Sequence, residues 1–415
     1  MRLTRTTYIK STDPNYKDIL DICHLSKNLY NAALYTLRQH FFETKKYISY
    51  ARVDQMFKST DNPGYRALPT QTAQQTLRMV DSAYRSFFNS IKKGLRARIP
   101  GYLDKNGYYI AVFTDQQLSH KLLKEGIIKL PKSNITLHTD IRDNIKQVRF
   151  VPRDKYIKME VVYNTEDPAV RPDNGRYISI DLGIDNLATI ASNVLSPIII
   201  NGQPIKSENQ YYNKQKSKLQ THLPKGTHSS NRIRRLTAKR NNVIKDYMHK
   251  ASSYIVNQIA DSSSICAIAI GYNKGWKQDA NMGKTNNQKF TSIPYLQFVS
   301  MIEYKAKLKG IRTVRVNESY TSKSSFFDND TLPSGKADKD HMFSGKRVSR
   351  GLYRTKSGWY INADVNGALN IMRRALKVTS DDLPAGRGFV SNPVRINVLK
   401  DVGIGQRKIQ TVQII

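Results

Sequence analysis

Apolar residues along this chain change their spacing several times, and each change predicts a different element. Residues 2–10 read as a short first strand. In DPNYKDILDICHLSKNLYNAALYTLRQHFF, Ile19, Ile22, Cys23, Leu29, Ala33 and Leu37 recur at mixed three- and four-residue steps, the spacing of a helix with one buried face. Asp13-Pro14 suits its start, an acid at the cap and a proline at the first turn. A second helix runs through TQTAQQTLRMVDSAYRSFFNSIKKGL, where Ala73, Leu77, Val80, Ala83, Phe87 and Ile91 form one stripe. Asn62-Pro63-Gly64 predicts a loop between the two. From about 99 to 163 the period falls to two. GIIKLPKSNITLHT and IKQVRFVPRDKYIKMEVVYN alternate apolar and polar and read as strands.

These patterns predict a β-rich unit made of residues 1–12 and 105–170, interrupted by a helical unit at 13–104 and closed by a turn-rich linker at 171–176. Beyond it, YISIDLGIDNLATIASN and SPIIINGQPI read as an antiparallel meander, and residues 207–259 as a long basic helical stretch. SSICAIAIG reads as a buried strand, IPYLQFVSMIEYKAKLKG as an amphipathic helix closed by Gly310, IRTVRVNESYTS as a strand and NADVNGALNIMRRALK as a last helix. From 378 to 415 periodicity fades, so a flexible tail is expected. The order predicts a multidomain α/β chain whose second unit, 171–377, carries a mixed sheet ordered 3-2-1-4-5 with helices on both faces, as in the ribonuclease-H-like fold.

Charge narrows the partners. Lys and Arg total 67 against 33 Asp and Glu, a net +34 in 415 residues. A hydrophilic chain this basic is suited to a polyanion. Between Pro204 and Lys250 stand twelve Lys/Arg and two acids; such a stripe repels itself unless it lies on phosphate. Arg232, Arg234, Arg235, Lys239 and Arg240 are its candidate phosphate contacts, and Lys323 sits in a hydroxyl-rich loop suited to the same role. Two distant cysteines, Cys23 and Cys266, exclude a disulfide framework and a four-cysteine zinc site. No apolar run approaches membrane-spanning length and the N-terminus lacks a signal-peptide core, so a cytoplasmic protein is expected, with no membrane partner.

Three acids are candidates for chemistry. Asp181 stands inside the apolar strand ISIDLG, where a carboxylate is costly unless paired or bound to a metal; it could also be a turn residue at the strand end. Gly183 is expected to keep that face open to a bulky ligand. Asp364 opens the last helix, where it could equally be a capping acid, with Asn362 as the competing cap. Glu318 ends a strand, a place where most carboxylates are simply exposed.

Taken together, ISIDLGIDNLATIAS, IAIGYNKGWKQ, ESYTSKSSF and NADVNGALNI resemble, in order and spacing, the RuvC blocks of TnpB proteins, the transposon-encoded RNA-guided nucleases related to type V CRISPR effectors. The likeness covers most of the chain. It implies a RuvC nuclease domain, a β-barrel-like wedge domain and an inserted helical recognition domain that hold a guide RNA and a double-stranded DNA target. Sequence would be read by base pairing next to a short adjacent motif. It implies cleavage with two Mg²⁺ ions held by Asp181, Glu318 and Asp364. A monomer is expected, bacterial or phage-encoded. The alternatives are a nuclease-dead RNA-guided repressor and a transposase accessory DNA-binding protein.

Two departures from that family pattern matter. Relatives often carry a CxxC…CxxC zinc ribbon; here Ser324 stands where a first cysteine is common and no cysteine follows Cys266, so residues 324–360 are expected to hold no zinc and to turn as a hairpin near Lys356-Ser357-Gly358. Relatives also often place the middle acid at the end of the SSICAIAIG strand, where this chain has Gly271. Either the enzyme is dead or the carboxylate comes from elsewhere: the resemblance implies Glu318, in the place where some branches of the family carry a Glu, reaching across a strand end that glycine leaves open, with Asp279 as an alternative acid.

Overall fold

A computed structural model describes residues 1–273, 284–333, 341–384 and 388–401. The chain divides into two compact units, Met1–Glu166 and Asp167–Ile415. The first holds β1 (Arg2–Lys10), α1 (Tyr16–Thr44), α2 (Tyr50–Ser59), α3 (Pro63–Arg66), α4 (Thr70–Lys92), β2 (Ala111–Thr114), α5 (His120–Lys124), β3 (Ile127–Lys129), β4 (Thr136–His138), β5 (Ile145–Pro152) and β6 (Tyr156–Asn164). Four antiparallel strands order β1-β6-β5-β2, while β3 and β4 form a separate hairpin. The first strand thus pairs with the last of its unit, Arg2 opposite Asn164 and Lys10 opposite Tyr156.

Several expectations are corrected in this unit. The sheet is open, not barrel-like. Its apolar face is covered instead by the start of α1, whose Ile19 and Cys23 pack with Phe113, Phe150 and Val161. The same helix continues into a helical core through Leu29, Ala33, Leu34 and Leu37, so residue 13 is no boundary between cores. The loop expected at Asn62-Pro63-Gly64 is a helix start. Asn62 accepts from Tyr65 N–H at 3.1 Å and Pro63 takes the first turn of α3, where its missing N–H costs nothing. The helix α2 before it buries Val53 and Phe57, four residues apart, a pair too short to declare a stripe.

The second unit holds β7 (Tyr177–Leu182), β8 (Asn186–Ser192), β9 (Ile198–Asn201), α6 (Gln203–Thr221), α7 (Asn231–Ser253) running on as a π-helical turn (Tyr254–Asp261), β10 (Ala267–Gly271), α8 (Lys284–Thr291), α9 (Tyr295–Leu308), β11 (Arg312–Val316), β12 (Lys346–Ser349), β13 (Leu352–Arg354), β14 (Tyr360–Asn362), α10 (Ala363–Leu376), α11 (Gly388–Ser391) and β15 (Val394–Ile396). Its main sheet orders β11-β10-β7-β8-β9-β15. The first five strands follow the 3-2-1-4-5 order read from the sequence, with β7, β8 and β9 antiparallel and β10 parallel to both β7 and β11.

Two differences stand out here. The basic stretch 207–259 is two helices, broken at 222–230, where Pro224 and Gly226 (φ +84°) end the helical path. Residues 378–401 are not wholly tail: β15 pairs parallel to β9 as a sixth strand, Ile396 opposite Ile200. A three-residue strand shows no period in sequence, and parallel pairing with a distant strand is a tertiary decision. Residues 402–415 lie outside the described residues.

Strand alternation sorts the sheet faces. Ile178, Ile180 and Leu182 of β7 and Ile268 and Ile270 of β10 point into the core built with α7 and α9. The alternate positions Ser179 and Asp181, and Ala269 and Gly271, therefore face α10. Ser179 Oγ donates to Ala368 O at 2.6 Å, and Ala269 packs with Ile371, both on α10.

Candidate carboxylate site

Asp181 reaches α10 because of that alternation, and the helix has no side chain where the two meet. A Cβ placed on Gly367 would lie 2.9 Å from Asp181 Oδ2. Asp364 is on the first turn of the same helix but does not cap it. Asn362 does: its Oδ1 accepts from Asp364 N–H at 3.0 Å and Val365 N–H at 3.1 Å. The Asp364 carboxylate is left to accept from Asn186 Nδ2 at 2.7 Å and to face Arg347 of β12 at 3.4 Å.

Glu318 arrives from the other side. Gly271 ends β10 opposite Val316 of β11, so the chain leaving β11 passes the end of β10 at Glu318. A Cβ on Gly271 would lie 2.7 Å from Glu318 Cγ and 2.5 Å from Ile371 Cδ1, so only glycine fits there beside that side chain. Asn273 Oδ1 accepts the Glu318 N–H at 2.9 Å and fixes the backbone. Glu318 Oε1 is buried and has no hydrogen-bond partner.

The electrostatics link the three acids through Asp181. Burial, and then the negative charge of Asp364, push the Asp181 carboxyl up to about 7, against the opposing pull of Arg347 and a hydrogen bond from Leu182. Burial, and then the charge of Asp181, push Glu318 well above the usual carboxylate range. Asp181 thus interacts with both other acids, an electrostatic row of three. Among the described residues no group of three or more His, Cys, Asp or Glu side chains is placed to hold a metal ion. Tyr295 is held near them, its hydroxyl donating to Gly183 O at 2.9 Å; burial, and then the charges of Glu318 and Asp181, raise its pKa.

A cavity of about 580 Å³ opens over Asp181, Asn186 and Asp364, with Lys206, Arg347, Arg350 and Arg395 in its walls. Glu318 is not among its lining residues. Asp185 anchors the rim, pairing with Lys206 at 2.6 Å and with Arg350. The turn from β7 to β8 is tight because Gly183 lets Asn186 O approach: a Cβ there would lie 2.7 Å from it. Gly183 thus supplies that close approach and also lines the cavity. Sequence patterns do not single out Asn186 or the rim cations, although Asn186 lies five residues after Asp181 in ISIDLGIDN.

The basic candidates separate. Arg232, Arg234, Arg235 and Lys239 are on α7, away from the hydrophobic core. Arg240 is turned inward: it donates to Asn209 Oδ1 at 2.7 Å and Ser292 O at 2.6 Å and lies over the Tyr212 ring, contacts that tie α7 to α6 and to the segment before α9. Lys323 is exposed beside Tyr320. The motif residues from Lys274 to Gln278, and Asp279, lie outside the described residues.

A second acid pair lies in the segment 324–360, expected to hold no zinc. Asp330 accepts from Ser325 N–H at 2.7 Å and from the N–H and hydroxyl of Ser344. Asp328 accepts from Ser325 Oγ at 2.5 Å and Lys356 N–H at 2.8 Å. Ser324 is buried, donating to Tyr320 O, and its carbonyl accepts from Asn366 and Asn370 of α10. The expected hairpin is present: β13 and β14 pair antiparallel, joined by a turn in which Gly358 (φ +87°) donates to Thr355 O.

Fold and site together define an α/β protein with a carboxylate row at the end of a mixed sheet, beside a cation-rimmed cavity. Residues 160–277 match the family model "Probable transposase" (OrfB_IS605), and residues 295–371 match "Cas12f1-like, TNB domain". An Escherichia coli (strain K12) protein named "Putative RNA-guided DNA endonuclease InsQ" is 23% identical over 89% of this chain and 91% of its own length. "TnpB-like protein ORF457" of Acidianus two-tailed virus is 20% identical over 92% of this chain and 88% of its own. "CRISPR-associated endodeoxyribonuclease Cas12f2" of Micrarchaeota archaeon (strain CG1_02_47_40) is 34% identical over 33% of this chain and 25% of its own. The chain is thus similar, over most of its length, to proteins named as TnpB-like and as a putative RNA-guided DNA endonuclease. Among its described residues no helix is long and apolar enough to cross a membrane.

Proposed function

We propose that this protein is an RNA-guided DNA endonuclease whose second unit is a RuvC-type, ribonuclease-H-like nuclease domain. Asp181, Glu318 and Asp364 serve as its metal ligands and catalytic acids. The carrying observation is that α10 and the end of β10 offer glycines to two of these acids, Gly367 beside Asp181 and Gly271 beside Glu318, and that a buried Glu318 oxygen has no donor. Buried carboxyls that resist ionisation for want of a counter-charge lose their protons readily only when a cation is bound beside them. Carboxylates are the ligands Mg²⁺ prefers, and three acids suit a pair of ions that clamp the attacking and leaving oxygens of a phosphodiester. Lys206, Arg347, Arg350 and Arg395 then supply the phosphate-facing wall.

The first unit is proposed to act as wedge and recognition parts around guide RNA and target DNA, with Arg232, Arg234, Arg235, Lys239 and Lys323 as further phosphate contacts and the protein working as a cytoplasmic monomer. Retention of Asp181 and Asp364 favours the nuclease over a nuclease-dead repressor. The test is to express the protein with its flanking DNA, sequence the RNA that copurifies, and offer the complex a matched plasmid with Mg²⁺ or with EDTA. Cleavage with Mg²⁺ only is expected. A complex with bound RNA that holds target but never cuts it would overturn the nuclease reading, and protein that retains no RNA would overturn the guided one.

A further inference from the structure

Asn186 touches an acid of the row without carrying a charge. Its amide nitrogen lies 2.7 Å from Asp364 Oδ2. A carboxylate only accepts, so the atom facing it must be the NH₂, and the orientation of the amide is fixed by chemistry. The carbonyl Oδ1 is thereby turned away from Asp364. It is buried and has no hydrogen-bond partner. Buried amide oxygens are ordinarily satisfied, so an orphan in a cavity wall marks a place where something else donates.

The other surroundings of Asp364 sharpen this. Its second oxygen faces Arg347, carried on β12, which among the described residues pairs with β13 alone. Asn186, by contrast, starts β8 inside the main sheet, opposite Asn201 of β9, and is pinned by the tight turn at Gly183. The rigid contact on Asp364 is therefore the amide, and the cation on it comes from a peripheral strand.

We propose that Asn186 is a positioning residue of the cation-binding site: its NH₂ holds Asp364 in its ligating orientation, and its Oδ1 accepts a hydrogen bond from a water that accompanies the divalent ion. Mg²⁺ keeps several of its waters when protein bound, so a fixed neutral acceptor beside a carboxylate has a partner ready. Partners of this kind orient metal-ligating carboxylates, and their loss weakens metal affinity about 10- to 100-fold.

This inference rests on the nuclease reading, and its test separates the two. Guide-loaded wild-type protein and Asn186→Leu are titrated with Mn²⁺ while free ion is counted by electron paramagnetic resonance, and Mg²⁺ half-saturation of cleavage is measured in parallel. Asn186→Leu is expected to weaken Mn²⁺ binding about tenfold or more and to raise the Mg²⁺ half-saturation by a similar factor, with guide RNA and target retained. A variant that binds Mn²⁺ within about twofold of wild type would overturn the proposal, whatever its cutting rate. Wild-type complex that neither binds Mn²⁺ nor cuts would overturn the nuclease reading, and this inference with it. If melting shows that the leucine variant is unfolded, Asn186→Ser, which adds no bulk, carries the same expectations.

Discussion

Asp328 and Asp330 in one place, and Asp181, Glu318 and Asp364 in another, are the same chemistry left in opposite states. The first pair is saturated: backbone N–H groups and serine hydroxyls from residues 325, 344 and 356 converge on its oxygens. Such a clasp ties three loop segments together with carboxylates, a job a metal could also do. The second group is starved. Asp364 has one amide and one distant guanidinium, Glu318 Oε1 has nothing, and Asp181 is pressed by burial and then by the charge of Asp364. The contrast separates acids satisfied within the fold from those the proposed function assigns to a ligand. A carboxylate whose hydrogen bonds are met from within the chain has no use for a ligand, and one left short has been kept for it.

The most severe test of that contrast is at Glu318. Glu318→Gln is expected to lower Mg²⁺-dependent cleavage by roughly a hundred- to a thousandfold, since ligated metal contributes several kcal/mol at about 1.4 kcal/mol per decade. RNA and target binding should be retained. Metal-free Glu318→Gln should melt no lower than wild type, because burial already favours the neutral carboxyl and the amide matches it in size and charge; a markedly lower melting point would mean that Glu318 is structural. Should the variant still cut at near-native rate, Glu318 is not a ligand and the row reduces to two acids.

Asp330→Ala should behave in reverse. It strips acceptors from the N–H of the fully buried Ser325 and is expected to destabilise the protein by about 2–3 kcal/mol, read in denaturant, while folded protein still cuts. Purified wild type should contain far less than one zinc per chain by elemental analysis, and EDTA should leave its melting curve unmoved. Stoichiometric zinc in the segment 324–360 would break the idea that carboxylates replace it.

A smaller effect is expected at Gly271, where the glycine is the space Glu318 uses. Gly271→Ala should cost about 1–3 kcal/mol by overpacking against Glu318 and Ile371, and should slow cleavage more than it lowers affinity for target. Gly271→Glu should not improve cutting. Smallest per residue is the same contrast among cations. Neutralising Arg232, Arg234, Arg235 and Lys239 together should flatten the salt dependence of nucleic-acid binding, each true phosphate contact removing about 0.7–0.9 from the log–log slope. Arg240→Met should leave that slope alone and lower stability instead, since its guanidinium is already spent on Asn209 and Ser292.

Much of this is legible in the chain because period and local chemistry decide it. The two-residue alternation of ISIDLG and AIAIG fixes which side chains share a face, and so puts Asp181 and Gly271 on the same side of the sheet. The strand order follows from element order, and the turn at Lys356-Ser357-Gly358 from its glycine. What the sequence could not decide were choices between equal local options. Asn362 and Asp364 are both good caps, and only the Asn186 and Arg347 contacts show which was released for another role. Arg240 reads like its basic neighbours until Asn209 and Ser292 come up to it from elsewhere in the chain. Residues 394–396 carry no period at all and became a strand because β9 had a free edge. Periodicity is a property of the chain alone, whereas donor supply to a carboxylate, or an open sheet edge, is set by segments far away in sequence. That is why the elements could be read and the charged partners had to be seen.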